Sequence, residues 1–472
     1  MHEVPVVPRA DGALLLLAED GHARAYEQTL RRCAERLAGR TLWHINSTAA
    51  GGGVAELLRS CLGYLRNGGI DTRWLVFQGD RRFFEITKRI HNRLHGDDRG
   101  DGALGATERR HLDTVSARNL AVVARFVRSG DVVIVHDPQP IGLLPGLARL
   151  GATVIWTCHV GTDTPNDIAT STWEFLRPDL LGAHAVTFTR SAYVWSGLER
   201  IPIALIPPCI DPLSLKNVNL EPARREAILA AAGLLEPSAP GEATFTRSDG
   251  ALAHVNGRAD VVEANRIPAG APIALQVSRW DHLKDPVGVL EGFAKIVGEV
   301  DAHLVLAGPA PGSVADDPQA GDALAEVRAA WVRAAAPVRA RVHLASLPAE
   351  DIEENAVIVN ALQRRAAVVV QKSLAEGFGL TVTEAMWKAR PVVASRIGGI
   401  RDQLEDGVNG RSVDPLDLTA FGDAVASLLD EPDLARRYGA AARERVRGRY
   451  LPPTYLGAYL ELIERVDRAN AP

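Results

Sequence analysis

The segment Ala366–Ser395 reads AAVVVQKSLAEGFGLTVTEAMWKARPVVAS and has the pattern of a strand, a helix and a second strand. Apolar runs rich in β-branched residues, Ala366–Gln371 and Pro391–Ser395, flank a stretch of helical length that starts after two glycines. Buried apolar strands separated by helices are typical of a parallel sheet that is covered on both faces. The segment therefore predicts a β-α-β unit of a parallel α/β sheet.

The same alternation of short apolar runs and helical stretches recurs along most of the chain. It begins near Thr41 and forms two series, which are separated by a stretch with little periodicity. Each series predicts a Rossmann-like, doubly wound parallel-sheet domain of the α/β class. The predicted strands are Leu42–Asn46, Arg73–Phe77, Asp131–His136, Thr153–His159, Ala185–Thr189 and Ile203–Pro207 in the first series, and Pro272–Ser278, His303–Ala307, Arg341–Ala345, Ala366–Gln371 and Pro391–Ser395 in the second.

Two irregular stretches interrupt this pattern. Ile206–Pro212 contains three prolines, which restrict the backbone and remove amide donors, so we interpret it as a hinge about which two domains close. Residues 236–270 are rich in small and polar residues, which predicts a surface insertion. The predicted organisation is an N-terminal helical arm over 1–40, Rossmann-like domains over 41–208 and 209–450, and a C-terminal helix over 451–472, whose packing on the N-terminal domain is left open.

The composition is that of an ordinary globular protein. The 472 residues are 46% hydrophobic and 24% charged, and 53 Lys and Arg against 58 Asp and Glu give a formal charge of −5. So small a negative charge offers no electrostatic footprint for nucleic acid. The four cysteines lie far apart, which favours a reducing compartment. The sequence has no signal-peptide pattern and no apolar run of membrane-spanning length, so we expect a cytoplasmic protein without a membrane partner.

A glycine-rich loop follows the first predicted strand. In His44–Glu56, Gly51, Gly52 and Gly53 precede a predicted helix. Glycines let backbone amides approach an anion closely, and the positive end of the helix dipole points to the same place. The pattern is neither a dinucleotide fingerprint nor a Walker A loop. It predicts a phosphate or sugar loop, with a tight turn that binds no ligand as the alternative.

Two cations follow the first strand of the second series. Arg279 and Lys284 lie five positions apart, at the carboxyl end of the strand, where open α/β sheets bind ligands. A guanidinium fork and an ammonium together suit a diphosphate leaving group. A solvated charge pair without a ligand is the alternative.

The most specific pattern is E-x(7)-E, formed by Glu376 and Glu384 around Gly377 and Gly379. Eight residues turn a helix by about 800°, so helical spacing alone does not align the two carboxylates. The glycines instead place Glu376 on a strand-to-helix loop and Glu384 one turn inside the helix, so that both reach one cleft. The amides near Gly379–Thr381 would hold phosphate at the start of this helix.

With these motifs, the sequence over about residues 41–450 resembles the retaining glycosyltransferases of family 4, which have the GT-B fold. Within that family it looks most like the trehalose glycosyltransferring synthases. The resemblance implies a GT-B architecture, in which two Rossmann-like domains, an N-terminal acceptor domain and a C-terminal nucleotide-sugar domain, face a central cleft. The supporting stretches are His44–Glu56, Phe83–Asn92, Trp173–Pro178, Ile206–Pro212 and Val277–Asp281.

The resemblance also implies roles for single residues. Arg279 and Lys284 would bind the donor diphosphate, Glu384 the ribose hydroxyls and Glu376 the donor sugar, and His159 matches a first-domain histidine near that sugar. The expected catalytic residues are His159, Arg279, Lys284 and Glu376; the donor-binding residues are Gly52, Gly53, Arg279, Lys284, Gly379, Leu380, Thr381 and Glu384; and the acceptor-binding candidates are Asn46, Asp137 and Asp163.

The implied reaction moves glucose from a nucleoside-diphosphate glucose to free glucose and gives α,α-trehalose. No cofactor and no protein-bound metal are expected, although stimulation by Mg²⁺ is left open. The expected partners are small sugar substrates, with a homodimer left open. The chain departs from the family pattern in two places, at Val160–Asp163 after His159 and in the 236–270 insertion, and both affect the identity of the acceptor.

Three alternatives stay open from the sequence. The first is a family 4 transferase with another acceptor, such as a glycan or a natural-product aglycone. The second is a nucleotide-sugar-binding protein without catalysis, which would be expected to lose Arg279, Lys284 or Glu376, all of which are present. The third is an NAD-dependent enzyme, disfavoured by the missing fingerprint. The sequence also lacks an Asp-x-Asp triplet, which disfavours a transferase that binds its nucleotide through a metal.

Overall fold

The computed structural model describes residues 1–49, 52–98, 100, 102–236, 241–311 and 319–469. The chain forms two compact units. The first comprises Met1–Asp211 and Gly448–Pro472, and the second comprises Pro212–Arg447. The chain therefore enters the second unit within the proline-rich segment and returns to the first near its C-terminal end.

The first unit is built on a seven-stranded sheet in the order β1-β3-β2-β4-β5-β6-β7. β1 pairs antiparallel with β3, and the other neighbours pair in parallel. Every residue of β2 and β4 is buried, as expected for central strands that are covered on both faces. The strands are β1 (His2–Val4), β2 (Leu42–Asn46), β3 (Thr72–Val76), β4 (Val132–His136), β5 (Thr153–Cys158), β6 (Ala185–Phe188) and β7 (Ile203–Leu205).

Helices cover this sheet. Trp43, Trp156 and Phe188 in its strands are buried in one hydrophobic core with residues of the covering helices, such as Phe83 and Leu147. The helices of the first unit are α1 (Gly12–Leu17), α2 (Asp20–Arg36), α3 (Gly53–Asn67), α4 (Arg81–Leu94), α5 (Ala106–Val123), α6 (Leu144–Arg149), α7 (Asp167–Leu176) and, from the C-terminal end of the chain, α17 (Pro452–Ala469).

The second unit has its own seven-stranded sheet, in the order β10-β13-β12-β11-β14-β15-β16. β10 pairs antiparallel with β13, and the other neighbours pair in parallel. The strands are β8 (Thr244–Thr246) and β9 (Leu252–His254), which form a separate hairpin, and β10 (Asp260–Val262), β11 (Ile273–Val277), β12 (His303–Pro309), β13 (Val342–Leu347), β14 (Val368–Gln371), β15 (Val392–Ser395) and β16 (Arg411–Val413).

The helices of the second unit include α12 and α13, which carry residues of the candidate site. α16 contains the boundary between the units, because its last two residues belong to the first unit. These helices are α8 (Pro222–Ala231), α9 (Pro286–Ala294), α10 (Ala320–Arg333), α11 (Ala336–Arg339), α12 (Ile352–Arg365), α13 (Leu380–Trp387), α14 (Ile400–Gln403), α15 (Leu418–Asp430) and α16 (Pro432–Arg449).

The prediction of two doubly wound parallel α/β domains is confirmed. Each predicted strand corresponds to a strand in the structure, with ends that differ by at most two residues. The sequence analysis missed β1 and β16, which are three-residue strands at sheet edges. Strands this short carry too little alternation to be recognised, and their pairing depends on a partner distant in sequence.

The predicted insertion is partly ordered into strands. It contains the β8-β9 hairpin, in which Phe245 is buried, and the edge strand β10 of the main sheet. Residues 237–240 of the predicted insertion lie outside the described part of the chain. β10 lies at the sheet edge and none of its residues is buried, and its pairing with β13 supplies order that the local composition does not indicate.

The two ends of the chain meet in the first unit. α17 packs against α2, and Arg32 on α2 lies 3.1 Å from Glu464 on α17. Arg36 and Arg40 both contact Asp467, at 2.6 and 2.8 Å. Each of these ion pairs is partly exposed, so apolar burial contributes more to this packing than charge does. Across the described residues, no helix is both long and apolar enough to cross a membrane.

Candidate active site

Each sheet has a point where the strand order reverses, and the predicted site residues gather at these two points. In the first unit the reversal lies between β2 and β4, and in the second it lies between β11 and β14. The loops that follow these strands diverge to opposite sides of the sheet and leave a crevice at the carboxyl edge. The topology therefore predicts one ligand-binding edge in each unit.

In the second unit, Lys284 and Glu376 form an ion pair at this edge. Lys284 Nζ lies 2.6 Å from Glu376 Oε2, which also accepts a hydrogen bond from Ser373 Oγ at 3.2 Å. The Lys284 side chain is 21% exposed and that of Glu376 10%. The two residues belong to the loops after β11 and β14, so the reversal point brings together one predicted diphosphate ligand and one predicted sugar ligand. Arg279, half-buried, lies in the same loop as Lys284.

A second buried ion pair fixes these loops. Lys372, which is almost fully buried, forms an ion pair with Asp285, the residue that directly follows Lys284 in the chain. Asp285 has a left-handed backbone (φ +48°) and caps α9 by accepting a hydrogen bond from Gly288 N. Leu374 N donates to the carbonyl of Leu283 at 2.8 Å and joins the two loops directly. Removing one partner of a buried pair is strongly destabilising, so the pair holds the position of Lys284.

The start of α13 is shaped by two glycines. Gly379, the residue before the helix, has φ +90°, which L-residues with a side chain rarely adopt. A Cβ on Gly399 would lie 2.6 Å from Phe378 Cα and 2.7 Å from the carbonyl oxygen of Gly377. Thr381 Oγ1 donates to Gln371 Oε1 at 3.1 Å, which ties the first turn to β14. Together these contacts present the first amides of α13, around Leu380, at the carboxyl edge of the sheet.

Glu384 is the fifth residue of α13 and is fully buried. Its Oε2 accepts a hydrogen bond from Gln363 Nε2 at 3.0 Å, and its Oε1 lies 3.1 Å from Lys216 Nζ. The predicted positions of Glu376 on a loop and Glu384 inside the helix agree with the structure. The expected ribose contact of Glu384 stays a prediction, and in this structure Lys216 occupies the place next to that carboxylate.

The corresponding edge of the first unit begins with the glycine-rich loop. Gly52 precedes α3 and Gly53 is its first residue, whereas Gly51 lies outside the described part of the chain. Gly52 has an ordinary φ of −138°, and among the described residues an added Cβ would come within 4 Å of Thr48 Cγ2 alone, at 3.8 Å. Neither the backbone conformation nor packing against the described residues requires a glycine at this position. Close approach of a ligand to the backbone is a remaining reason for one.

Three histidines, His44 in β2, His136 in β4 and His159 directly after β5, form a column in which the first two are buried and His159 is half-buried. His44 Nδ1 lies 3.0 Å from His136 Nε2, at a distance that requires one of them to donate. The ring of His136 lies parallel to that of His159, with centroids 5.8 Å apart. Burial lowers the pKa of His44 to about 3 and also lowers the pKa of His136 and that of His159. The column is therefore uncharged at neutral pH.

Asp137 directly follows His136 in the chain, and its side chain contacts the backbone of His159. It has a left-handed backbone (φ +63°), and its Oδ1 accepts a hydrogen bond from His159 N at 2.9 Å. A non-glycine residue in this conformation is uncommon and often marks a functional position. Asp137 is half-buried. Its expected contact with the acceptor stays a prediction.

The other two acceptor candidates are engaged within the protein. Asn46 is buried, accepts a hydrogen bond from Trp74 Nε1 at 2.7 Å and donates one to the carbonyl of Thr48 at 2.7 Å. Asp163 forms an ion pair with Arg190 and keeps 21% of its side chain exposed. Both residues therefore make polar contacts within the first unit.

The structure thus gathers Arg279, Lys284, Glu376 and Gly379–Thr381 at one edge, and Gly52, His159 and Asp137 at the other. The sequence analysis missed Lys216, Lys372 and the histidines beside His159, because their partners lie far away in the chain. The position of His136 at the end of a predicted strand was the one available signal. In the described part of the chain, no group of three or more His, Cys, Asp or Glu side chains is arranged to ligate a metal ion.

Comparison with known proteins shows the family of the chain. Residues 44–195 match the family described as "Trehalose synthase, N-terminal domain", and residues 351–445 match "Glycosyl transferases group 1". The chain is 35% identical to a trehalose synthase of Rubrobacter xylanophilus over 93% of each chain. It is 33% identical to a trehalose synthase of Pyrococcus horikoshii over 91% of each chain.

Solved structures show the fold. An α,α-trehalose-phosphate synthase (UDP-forming) from Burkholderia xenovorans, solved in complex with glucose-6-phosphate, is similar with a TM-score of 0.68 at 14% identity. The match covers 90% of this chain and 100% of that one. At this identity the likeness bears on architecture alone, and it assigns the GT-B fold.

Proposed function

Because the chain belongs to the trehalose synthase family of the group 1 glycosyltransferases, a family of hexosyltransferases, we propose that it transfers glucose from a nucleoside-diphosphate glucose to free glucose. The product would be α,α-trehalose, with the anomeric configuration of the donor retained. The observation that carries this proposal is the Lys284–Glu376 pair beside the start of α13. A cation, a carboxylate and helix amides at one reversal point suit a sugar diphosphate better than they suit any neutral ligand.

Departure of the nucleoside diphosphate is the step that needs most stabilisation. Negative charge develops on the leaving phosphate, and Lys284, Arg279 and the first amides of α13 would neutralise it. Preorganised donors of this kind are often the largest single contribution to catalysis. Glu376 would accept hydrogen bonds from the sugar hydroxyls while its contact with Lys284 holds both groups in register.

The acceptor hydroxyl would attack the same face of the sugar that the phosphate leaves, and the departing phosphate would take up the acceptor proton. In this scheme the first unit supplies His159 near the donor sugar and Asp137 for the acceptor. The uncharged histidine column supports this assignment, since a positive charge beside an oxocarbenium-like sugar would oppose its formation. No protein-bound metal has a step in this scheme.

The test is to incubate the full-length protein with ADP-, UDP- or GDP-glucose, each with and without glucose, and to separate the sugars. Formation of trehalose that requires both substrates would support the proposal, and its loss on treatment with trehalase would verify the α,α linkage. Parallel reactions with EDTA or with added Mg²⁺ would report on metal dependence. Nucleoside diphosphate release without trehalose, in the presence of glycans or aglycones, would favour a transferase with another acceptor.

Binding of a nucleotide sugar with no release of nucleoside diphosphate, under any acceptor condition, would favour a non-catalytic binding protein. Failure to bind any of the three nucleotide sugars would defeat the proposal. Calorimetry separates these two outcomes, because it measures binding without requiring turnover.

A further inference from the structure

The environment of Glu384 is unusual for a residue expected to bind a ligand. The side chain is fully buried, and the ammonium of Lys216, at 3.1 Å, lies next to its Oε1. That contact is an ion pair of poor hydrogen-bond alignment, and within the described residues Oε1 accepts no hydrogen bond. A buried carboxylate oxygen without a hydrogen bond is energetically unfavourable. Glu384 Oε1 therefore lacks an aligned hydrogen-bond donor, and the ammonium of Lys216 replaces that donor only in part.

The other oxygen of this carboxylate is already committed. Oε2 accepts a hydrogen bond from Gln363 Nε2, and Gln363 Oε1 in turn accepts one from Lys388 Nζ at 2.6 Å. Both Gln363 and Lys388 are buried, so this side of Glu384 has no room to change. A ligand would have to reach Oε1 from the side that Lys216 occupies.

Lys216 is well placed to move without any change in its backbone. It belongs to the segment 213–218, which begins the second unit, and the carbonyls around it are held by α12. Asn360 Nδ2 donates to the carbonyls of Leu215 and Val218, each at 2.9 Å, and Arg364 Nη2 donates to that of Asn217 at 2.8 Å. The Lys216 side chain is 18% exposed. Rotation about its side-chain bonds alone can carry the ammonium into solvent.

We propose that Lys216 is a positioning residue that covers the nucleotide site. In the empty enzyme its ammonium lies next to Glu384 Oε1, and the ribose diol of the donor displaces it. We call this displaceable ion pair the cover. The inference rests on the proposed function, which makes Glu384 the ribose-binding carboxylate. Ribose hydroxyls are good donors to a carboxylate, and they can supply the aligned hydrogen bond that Oε1 lacks.

The cover has a thermodynamic consequence. Displacing the ammonium reduces the apparent affinity for nucleotide, in the same way as any competing conformation does. In return, the empty enzyme does not hold an unpaired buried carboxylate, which would be strongly destabilising. Removing the ammonium should therefore lower the free energy of unfolding of the empty protein and at the same time increase its affinity for nucleotide. A residue that simply contacted the nucleotide would change affinity in the opposite direction.

The experiment compares the wild-type chain with Lys216→Met and with Lys295→Met, an exposed lysine of the same unit, as the matched control. Isothermal titration with ADP, UDP and GDP should give about tenfold tighter binding of the nucleotide that the protein recognises for Lys216→Met and no change for the control. Inorganic pyrophosphate, which carries the phosphates without ribose, should bind all three proteins alike. Lys216→Gln, a milder change, should lie between wild type and Lys216→Met.

Two further measurements show whether Lys216 acts through Glu384. The Lys216→Met effect should disappear in a Glu384→Gln background, because the neutral amide no longer needs a cation. The unfolding temperature of Lys216→Met should be lower than that of wild type without ligand and should rise more when ADP or UDP is added.

Weaker or unchanged nucleotide binding by both Lys216 variants would overturn the cover. So would equal tightening for pyrophosphate, since it would place the effect on the phosphates. If the wild-type protein binds none of ADP, UDP and GDP, the proposed function fails first, and the cover fails with it. Wild-type binding that Glu384→Gln leaves unchanged would instead reject the ribose role of Glu384 and with it the cover.

Discussion

The carboxyl edges of the two sheets share a topology and differ in charge. At the reversal point of the first unit lie three uncharged imidazoles, a half-buried aspartate and an open helix start at Gly52. At that of the second unit lie Lys284 paired with Glu376, and Lys372 paired with Asp285. The same strand order thus supports a nearly neutral edge in one unit and a densely charged one in the other.

This difference shows what the fold supplies and what the side chains supply. A doubly wound sheet guarantees a crevice where the strand order reverses, whatever residues line it. The chemistry of the ligand is set by those residues. Under the proposed function, the charged edge would bind the diphosphate, and the neutral edge would face sugar hydroxyls.

The largest effect should come from the charged edge. Lys284→Ala should lower kcat by about 10²- to 10³-fold, because it removes a preorganised cation from the leaving phosphate. Arg279→Ala should have an effect of the same order. Steady-state kinetics with nucleoside-diphosphate glucose and glucose would measure this, with Lys295→Ala as the control. Full activity in Lys284→Ala would show that the ion pair between Lys284 and Glu376 has only a structural role.

The second effect tests the turn that presents the charged edge. Gly399→Ala should lower both stability, by about 1–3 kcal/mol, and activity, because the new Cβ would overlap Phe378 and displace the turn before α13. The control is Gly321→Ala in α10, where an added Cβ has no atom within 4 Å among the described residues. Chemical unfolding and kinetics together measure the change. Wild-type behaviour of Gly399→Ala would show that the turn can relax.

The third effect concerns the neutral edge and its dependence on pH. The pKa of His44 is about 3 in the folded protein against an ordinary value of 6.5. The unfolded chain therefore binds more protons between these values, so stability is complete above pH 6.5 and is lost as the pH falls towards 3.

His44→Asn should reduce the slope of the free energy of unfolding against pH by about 1.4 kcal/mol per pH unit, the value for one proton. Urea unfolding at pH 4.5, 5.5 and 7 would measure it, with His254→Asn, at an exposed position, as the control. Equal slopes of unfolding free energy against pH for His44→Asn and wild type would mean that the lowered pKa of His44 does not cause the loss of stability at acidic pH.

The smallest effect distinguishes a ligand loop from a tight turn at Gly52. Gly52→Ala should leave stability unchanged, since among the described residues an added Cβ comes within 4 Å of Thr48 alone, at 3.8 Å. It should nevertheless reduce kcat/KM about fivefold, equivalent to about 1 kcal/mol, by crowding a ligand at the start of α3. Unchanged kinetics in this variant would favour the turn without a ligand.

Much of the charged edge could be predicted from the sequence because its signals are local. Arg279 and Lys284 follow one strand, and Glu376, Gly379 and Glu384 follow another, so a strand prediction suffices to place them on one edge. What could not be predicted is the pairing between these loops. The contact of Lys284 with Glu376 joins residues 92 positions apart, and the sequence does not indicate which cation a carboxylate meets.

The neutral edge was less accessible to such reasoning. His159 was singled out through the family resemblance, while His44 and His136 look like ordinary strand residues. Their contact depends on the register between β2 and β4, which pairs His44 with Ile134 and leaves His136 one step along the same face. Asn46 was named as an acceptor ligand and turned out to be bonded to Trp74 and Thr48, because its strand end is covered.

The sequence by itself determined the α/β class, the strands of both sheets other than β1, β10 and β16, and the positions of the charged motifs, since periodicity and turn residues act over a few positions. Only the tertiary structure decided which of those groups are buried and which partner each one meets. Glu384 illustrates the reason: its spacing from Glu376 can be read from the chain, but its burial under Lys216 arises from the packing of a distant segment on α12 and α13. Burial and ion pairing depend on distance in space, which the order of residues along the chain does not specify.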